Sequence, residues 1–221
     1  MAGGPGSGKG YALSNVLGVP KKIMKGTSAL GLKIINSDTA FEKNLKAVGF
    51  NPKNLATITQ KVFDYYSSDK PTSARSKAKV TAKKLMTMYS NEKLGLVIDG
   101  TGHDFAKIKI MKDVLEKLGY DTAMLFINTS LKVAQERNLK RDRVVPDKIL
   151  IPSWHDVQNN LGKFQSLFGK DFIIIDNTEI GDFNKLHADK IKKAQAWVKK
   201  PLKNHIGNQW IENARKLKKI V

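Results

Sequence analysis

The sequence predicts an α/β fold built on a parallel sheet, and three observations carry that prediction. Four apolar runs of strand length each close on a polar residue: Leu32-Lys33-Ile34-Ile35-Asn36, Leu94-Gly95-Leu96-Val97-Ile98-Asp99, Thr122-Ala123-Met124-Leu125-Phe126-Ile127-Asn128 and Phe172-Ile173-Ile174-Ile175-Asp176. Segments with helical spacing separate them, the pattern that parallel strands with crossover helices require. A glycine-rich stretch carrying one Lys opens the chain, where a loop would lead into the first helix.

That stretch, Gly3-Gly4-Pro5-Gly6-Ser7-Gly8-Lys9-Gly10-Tyr11, fits the pattern G-x-x-x-x-G-K. Glycines let consecutive backbone N–H groups point into one concavity, with no Cβ to bar close approach of a polyphosphate. Lys9 adds a point charge for the β- and γ-phosphates, and a helix starting near Gly8 turns its positive end toward the same anion. The whole stretch is therefore the expected ATP site. A Gly-rich tail would explain the glycines but not the Lys spacing. Two departures stand out: Gly10 occupies the position where Ser or Thr usually offers a hydroxyl to Mg²⁺, and only Met1 and Ala2 precede Gly3, where a buried strand is expected.

Further along, a short helix over 11–17 ends at Gly18 and Pro20. The strand closing at Asn36-Ser37-Asp38 puts Asp38 at the carboxyl edge of the sheet, where ligands sit in open parallel sheets. Residues 39–92 are helical in pattern, broken by Gly49, Pro52 and Pro71, and form a substrate-side insert. Within it, Arg75 leads a basic stretch through Lys77, Lys79, Lys83 and Lys84; the lysines read as a solvated helix face, whereas the planar fork of Arg75 suits phosphate. The strand ending in Asp99-Gly100-Thr101-Gly102 has the form that holds an acid rigidly beside a phosphate loop, where it orients Mg²⁺ or its water shell. A helix over 104–118 stops at Gly119, and Ser130 caps the next one. That helix carries Arg137 and Arg141 one turn apart on one face, before Val144-Val145-Pro146. The last strand ends at Asp176 with Asn177 at its tip.

Bulk properties bound the rest. At 221 residues the chain suits one α/β domain with a helical insert. It has no Cys, which excludes disulfides and thiolate metal sites and fits a reducing cytoplasm. No apolar run is long enough to span a bilayer, so no membrane partner is expected. The net charge of +19 invites a polyanionic partner, although scattered Lys also serves solubility. Residues 185–221 concentrate the excess, with 11 Lys or Arg against 2 acids. Trp197 and Trp210 point to helices docked on a core, with the basic face offering nonspecific nucleic-acid contact.

The glycine loop, Ile35-Asn36-Ser37-Asp38, Val97-Ile98-Asp99-Gly100-Thr101 and Arg137-Asn138-Leu139-Lys140-Arg141 with Val145-Pro146 together resemble the P-loop kinases of the adenylate kinase type. More narrowly, the chain is similar to the zeta-toxin and polynucleotide kinase branch, including kinases encoded by bacteriophages. The resemblance covers residues 3–177. It implies a three-layer P-loop kinase fold with strand order 2-3-1-4-5 and a truncated first strand. The core would take in residues 1–180 with a lid over 130–150, and residues 181–221 would add basic helices packed on it. It also implies ATP and Mg²⁺ as cofactors, with Asp38 as the base that accepts the acceptor hydroxyl's proton. Asp99 is then the acid holding Mg²⁺ through water. Lys9, Arg137 and Arg141 neutralise the transferring phosphoryl group; Arg75, Asp99 and Thr101 face the acceptor. The adenylate kinase loop also carries Gly after its Lys.

The expected activity is transfer of the γ-phosphate of ATP to a hydroxyl or phosphate of a nucleotide-like small acceptor, in the cytoplasm, or in the host cytoplasm for a phage protein. The alternatives are a polynucleotide 5′-hydroxyl kinase and a non-catalytic nucleotide- or nucleic-acid-binding protein. Without its first strand the sheet would expose backbone groups on both neighbours, at a cost of about 1–3 kcal/mol each. The expectation is therefore that Met1 is not the natural start, or that the chain is a truncated reading of a longer one in which about five to seven apolar residues precede Gly3.

Overall fold

Two parallel strand pairs lie side by side, joined by the first residues of the chain. The computed structural model describes residues 1–19, 26–51, 54, 58–141 and 144–218. Strand β1 (Lys33–Ile35) pairs in parallel with β2 (Leu96–Ile98), with Ile34 opposite Val97. Strand β3 (Met124–Asn128) pairs in parallel with β4 (Phe172–Asp176), with Phe126 opposite Ile174. The expectation of an empty central position is corrected in part: residues 1–3 bond to both pairs. On the β2 side the Met1 ammonium donates to Ile98 O at 2.8 Å, Gly100 N–H donates to Met1 O at 3.2 Å, and Gly3 N–H donates to Thr101 O at 3.0 Å. On the β3 side Ala2 N–H donates to Leu125 O and Ile127 N–H to Ala2 O, both at 2.9 Å. The order across the molecule is thus β1, β2, residues 1–3, β3, β4.

Helices fill the crossovers: α1 (Lys9–Leu17), α2 (Ser37–Ala47), α3 (Gln60–Ser67), α4 (Ala74–Asn91), α5 (Phe105–Lys117), α6 (Leu131–Leu139) and α7 (Asp147–Phe168). Caps appear where short polar side chains allow them: Ser73, Asp104 and Ser130 each accept a first-turn N–H at the starts of α4, α5 and α6. The 22 residues of α7 are a helix that periodicity does not reveal, because Pro152 sits in its second turn and removes a backbone donor there. Burial supplies what propensity lacks, since Leu150, Val157 and Phe164 face inward with none to 1 % exposed.

Strand residues are packed on both faces, as the unbroken apolar runs require. One apolar cluster joins α1 through Leu13 and Val16 to Val97, Ile127 and Ile175; another sets Phe164 against Ala2, Met124 and Phe126. A third lies within the helical insert, where Phe41 and Leu45 of α2 meet Ala74 and Ala78 of α4.

The C-terminal part comprises α8 (Phe183–Leu186), α9 (Ala188–Lys199) and α10 (His205–Lys218). Helix α9 packs on α1 and β4, with Gln195 donating to Val16 O and Trp197 Nε1 to Asp171 Oδ1. The start of α10 rests on the end of α5, where Asp121 accepts from the Lys203 and Asn204 amides. Trp210 departs from expectation: it is 44 % exposed and does not dock as Trp197 does. Pro20, Pro52 and Arg143 lie outside the described residues. Among the described residues no helix is long and apolar enough to cross a membrane.

Candidate functional site

All the polar strand ends open on the same side. Asn36 follows β1, Asp99 follows β2, Thr129 follows β3 and Asn177 follows β4, so the carboxyl ends of parallel strands and the start of α1 meet at one cleft. It has a volume of about 440 Å³ and is walled by Gly4, residues 6–11, Asn36, Asp38, Thr39, Glu42, Asp99, Arg137 and Arg141.

The glycine loop is shaped by contacts that only glycine permits. Gly6 has φ +78°, and a Cβ there would lie 2.1 Å from Ala134 O on α6. Gly8, the N-cap of α1, has φ +83°, and its Cβ would meet Asn177 Nδ2 at 2.4 Å. That amide donates instead to Ser7 O at 2.9 Å, tying the loop to the tip of β4. Gly10 differs: nothing lies within 4 Å of where its Cβ would be. As at any helix start, the first-turn amides of α1 have no intrahelical acceptor, an arrangement that suits an anion.

Lys9 Nζ folds back on its own loop and donates to Gly3 O at 2.7 Å and Gly4 O at 3.3 Å. Burial lowers its pKa from the ordinary lysine value, against the pull of Asp99 and Asp38, which favour the charged form. Across the cleft, Asn36 holds both acids. Its Oδ1 accepts from the Asp38 amide at 2.6 Å, and its Nδ2 donates to Asp99 Oδ2 at 2.8 Å. Asn36, not Asp38, is therefore the cap of α2; Asp38 sits in the first turn with its carboxylate available to side chains.

Asp38 Oδ1 accepts from Arg75 NH1 at 2.8 Å, and the Arg75 guanidinium lies 5.2 Å over the Phe41 ring. Arg75 thus stands behind Asp38, outside the walls of the cleft. Asp99 Oδ1 is buried and has no partner among the described residues. Burial raises the Asp99 pKa above the usual carboxylate range, while Lys9 and the Met1 ammonium oppose the rise. Arg137 is anchored by donating to Asn177 O at 2.6 Å. The expectation that Arg141 shares a helix face with Arg137 is corrected: α6 ends at Leu139 with Lys140 as its cap, and Arg141 lines the cleft from the bend that follows. Gly3 and Pro5, also expected in the ATP site, do not line the cleft. Thr101 also lies outside the walls: its carbonyl accepts from Gly3 N–H, and its hydroxyl contacts His103.

Among the described residues no group of three His, Cys, Asp or Glu side chains could hold a metal by itself. The donor set fits Mg²⁺ carried by phosphates, since that ion keeps several waters and takes one or two carboxylates. Asp99 Oδ1, buried and unpartnered at the cleft, is the atom suited to such a hydrated ion. Nucleotide fits as well: the loop offers backbone donors, Lys9 needs only to exchange carbonyl oxygens for phosphate oxygens, and Tyr11 is 48 % exposed at the rim, edge-on to Phe183.

Sequence reasoning assigned no role to Asn36, Asn177, Thr39 or Glu42. For Asn36 a signal exists, because Asn two residues before Asp after a strand is the pattern of a capping Asn. For Asn177 none does, since its partners Ser7 and Arg137 are 170 and 40 residues away. No protein-family model matches this chain, and no curated protein matches it significantly.

Proposed function

We propose that the chain is an ATP-dependent phosphotransferase of the P-loop kinase type, acting on a hydroxyl or phosphate of a nucleotide-like small acceptor. The observation that carries this reading is the convergence of Lys9, Asp38, Asp99, Arg137 and Arg141 on one cleft beside the glycine loop, from four separate stretches of sequence. The spatial order β1, β2, residues 1–3, β3, β4 supports the finer fold reading, because it is the expected order 2-3-1-4-5 once residues 1–3 count as strand 1.

MgATP, when bound, supplies the phosphoryl group. The glycine loop and Lys9 hold the polyphosphate, and Asp99 orients the hydrated ion. Asp38 takes the proton of the acceptor hydroxyl as that oxygen forms its bond to the γ-phosphorus; the bond to the bridging oxygen breaks and ADP leaves. A phosphoryl transition state spreads negative charge over its equatorial oxygens, so Lys9, Arg137 and Arg141 supply most of the stabilisation. The Arg75 contact holds Asp38 in place.

The test is ADP release from MgATP against a panel of nucleosides, nucleotides, nucleotide sugars and 5′-hydroxyl oligonucleotides, with the labelled product identified. ATP binding without release against any acceptor would favour the non-catalytic alternative, and absence of ATP binding would overturn the site. A polynucleotide acceptor is favoured by one observation: α10 exposes Trp210 and, further along the same helix, Arg215 and Lys216. If α10 contacts nucleic acid, removing residues 205–221 flattens the salt dependence of oligonucleotide affinity and leaves small-acceptor transfer in place.

A further inference from the structure

The sheet edge, the glycine loop and Arg137 meet at Asn177, which is 7 % exposed at the tip of β4. Its backbone N–H donates to Asn128 O at 2.9 Å, which extends the β3–β4 pairing by one residue and gives Asn177 a fixed seat. From that seat the side chain donates through Nδ2 to Ser7 O at 2.9 Å, and the backbone carbonyl accepts from Arg137 Nη1 at 2.6 Å.

The backbone around Ser7 decides what the first of these bonds does. Ser7 N–H is used within the loop: it donates to Gly4 O at 3.2 Å and closes a turn with Pro5 and Gly6 at its centre. Gly6 at φ +78° and Gly8 at φ +83° flank Ser7, whose φ is negative. Such alternation of hand turns successive N–H groups into one concavity. Ser7 C=O and Gly8 N–H belong to one planar trans peptide and point in opposite directions. A carbonyl held on the buried side by Asn177 therefore sets the Gly8 N–H toward the open side, where Gly8 lines the cleft. Among the described residues this N–H has no acceptor. Arg137 is brought to the same spot, with Nη1 4.0 Å from the point that a Gly8 Cβ would occupy.

We propose that Asn177 is a positioning residue for polyphosphate: its Nδ2 aims the Gly8 N–H, and its backbone oxygen stations Arg137, toward one phosphate group of the bound nucleotide. The inference rests on the reading of the cleft as an ATP site. Asn suits the task because its side-chain amide donates without carrying a charge. Asp in its place would set an acceptor against Ser7 O and a negative charge beside the phosphate, and Ala would leave the Ser7–Gly8 peptide free to turn. The two contacts are separable, since the side chain governs the loop and the backbone governs Arg137. A side-chain substitution removes the first and spares the second.

The experiment follows the backbone amide resonances of the full chain and of Asn177→Ala and Asn177→Asp as inorganic pyrophosphate with Mg²⁺, or MgADP, is added. Dissociation constants and thermal midpoints are measured on the same samples. In the parent the Gly8 amide proton should move downfield, the mark of a charge-assisted hydrogen bond to phosphate. In both variants that shift should be lost, and both ligands should bind about 10- to 100-fold more weakly, the weight of one hydrogen bond to a charged group. A parent in which the Lys9 and Gly10 amides shift while Gly8 stays unmoved would overturn the proposal without recourse to any variant. So would a folded Asn177→Ala or Asn177→Asp with the parent's Gly8 response and affinity; a lowered thermal midpoint with that response intact would confine Asn177 to holding the loop. Absence of pyrophosphate and ADP binding in the parent would instead overturn the ATP-site reading, and the proposal with it, so the two failures are told apart.

Discussion

Asn36 links the two acids of the cleft, donating from Nδ2 to Asp99 Oδ2 at 2.8 Å while its Oδ1 caps the helix that carries Asp38. One side chain therefore sets the spacing between the residue proposed to orient Mg²⁺ and the residue proposed to take the proton. Asn36→Ala should lower turnover by about 10- to 100-fold, since small misplacement of catalytic groups is costly. It should also destabilise the fold by about 1–2 kcal/mol through loss of the cap. Steady-state kinetics and urea unfolding read the two effects separately. Wild-type turnover in a variant with the expected stability loss would confine Asn36 to a structural role.

Lys9, Asp38 and the arginines divide by what each touches. Lys9→Ala should abolish phosphoryl transfer and leave unfolding nearly unchanged, because among the described residues the ammonium bonds the carbonyls of its own loop and nothing else. Asp38→Asn should depress turnover with ATP affinity nearly intact, whereas Arg137→Ala and Arg141→Ala should affect both. Arg137→Ala carries an added stability cost, since it removes the bond to Asn177 O. Normal turnover in Lys9→Ala would remove the phosphate-loop assignment.

Glycines of the loop should differ sharply in tolerance. Gly6→Ala combines φ +78° with a Cβ placed 2.1 Å from Ala134 O, so ATP binding should be lost along with several degrees of thermal midpoint. Gly10→Ser meets nothing within 4 Å and replaces a helical Gly, so it should fold at least as well as the parent. If Mg²⁺ binds here, the new hydroxyl should lower the Mg²⁺ concentration needed for half-maximal turnover. An unchanged Mg²⁺ dependence would place the ion away from residue 10.

The buried Met1 ammonium gives the chain as it stands a pH signature. Its pKa falls to about 6 in the folded state from 8.0, so between those values the unfolded chain binds more protons and stability rises with pH. The gain from pH 6 to pH 8 should be on the order of 2 kcal/mol, and it should disappear when the amino group is acetylated. A flat profile in the unmodified chain would show that the ammonium is hydrated.

The sequence by itself determined the strands, the glycine loop and the polar residue that closes each strand, because these depend on local patterns: apolar runs, backbone freedom at glycine, and capping side chains at helix starts. It also marked Lys9, Asp38, Asp99, Arg137 and Arg141 as chemically suited groups. Tertiary structure alone decided that these five share a cleft while Arg75 and Thr101 stand outside it, because wall membership depends on which strand ends become neighbours. It likewise decided the roles of Asn36 and Asn177, whose partners are remote in the chain. Helix α7 was hidden by Pro152, since burial of Leu150, Val157 and Phe164 outweighs a local penalty that sequence reading counts in full. That residues 1–3 bridge both strand pairs follows from long-range backbone pairing, which no local pattern encodes.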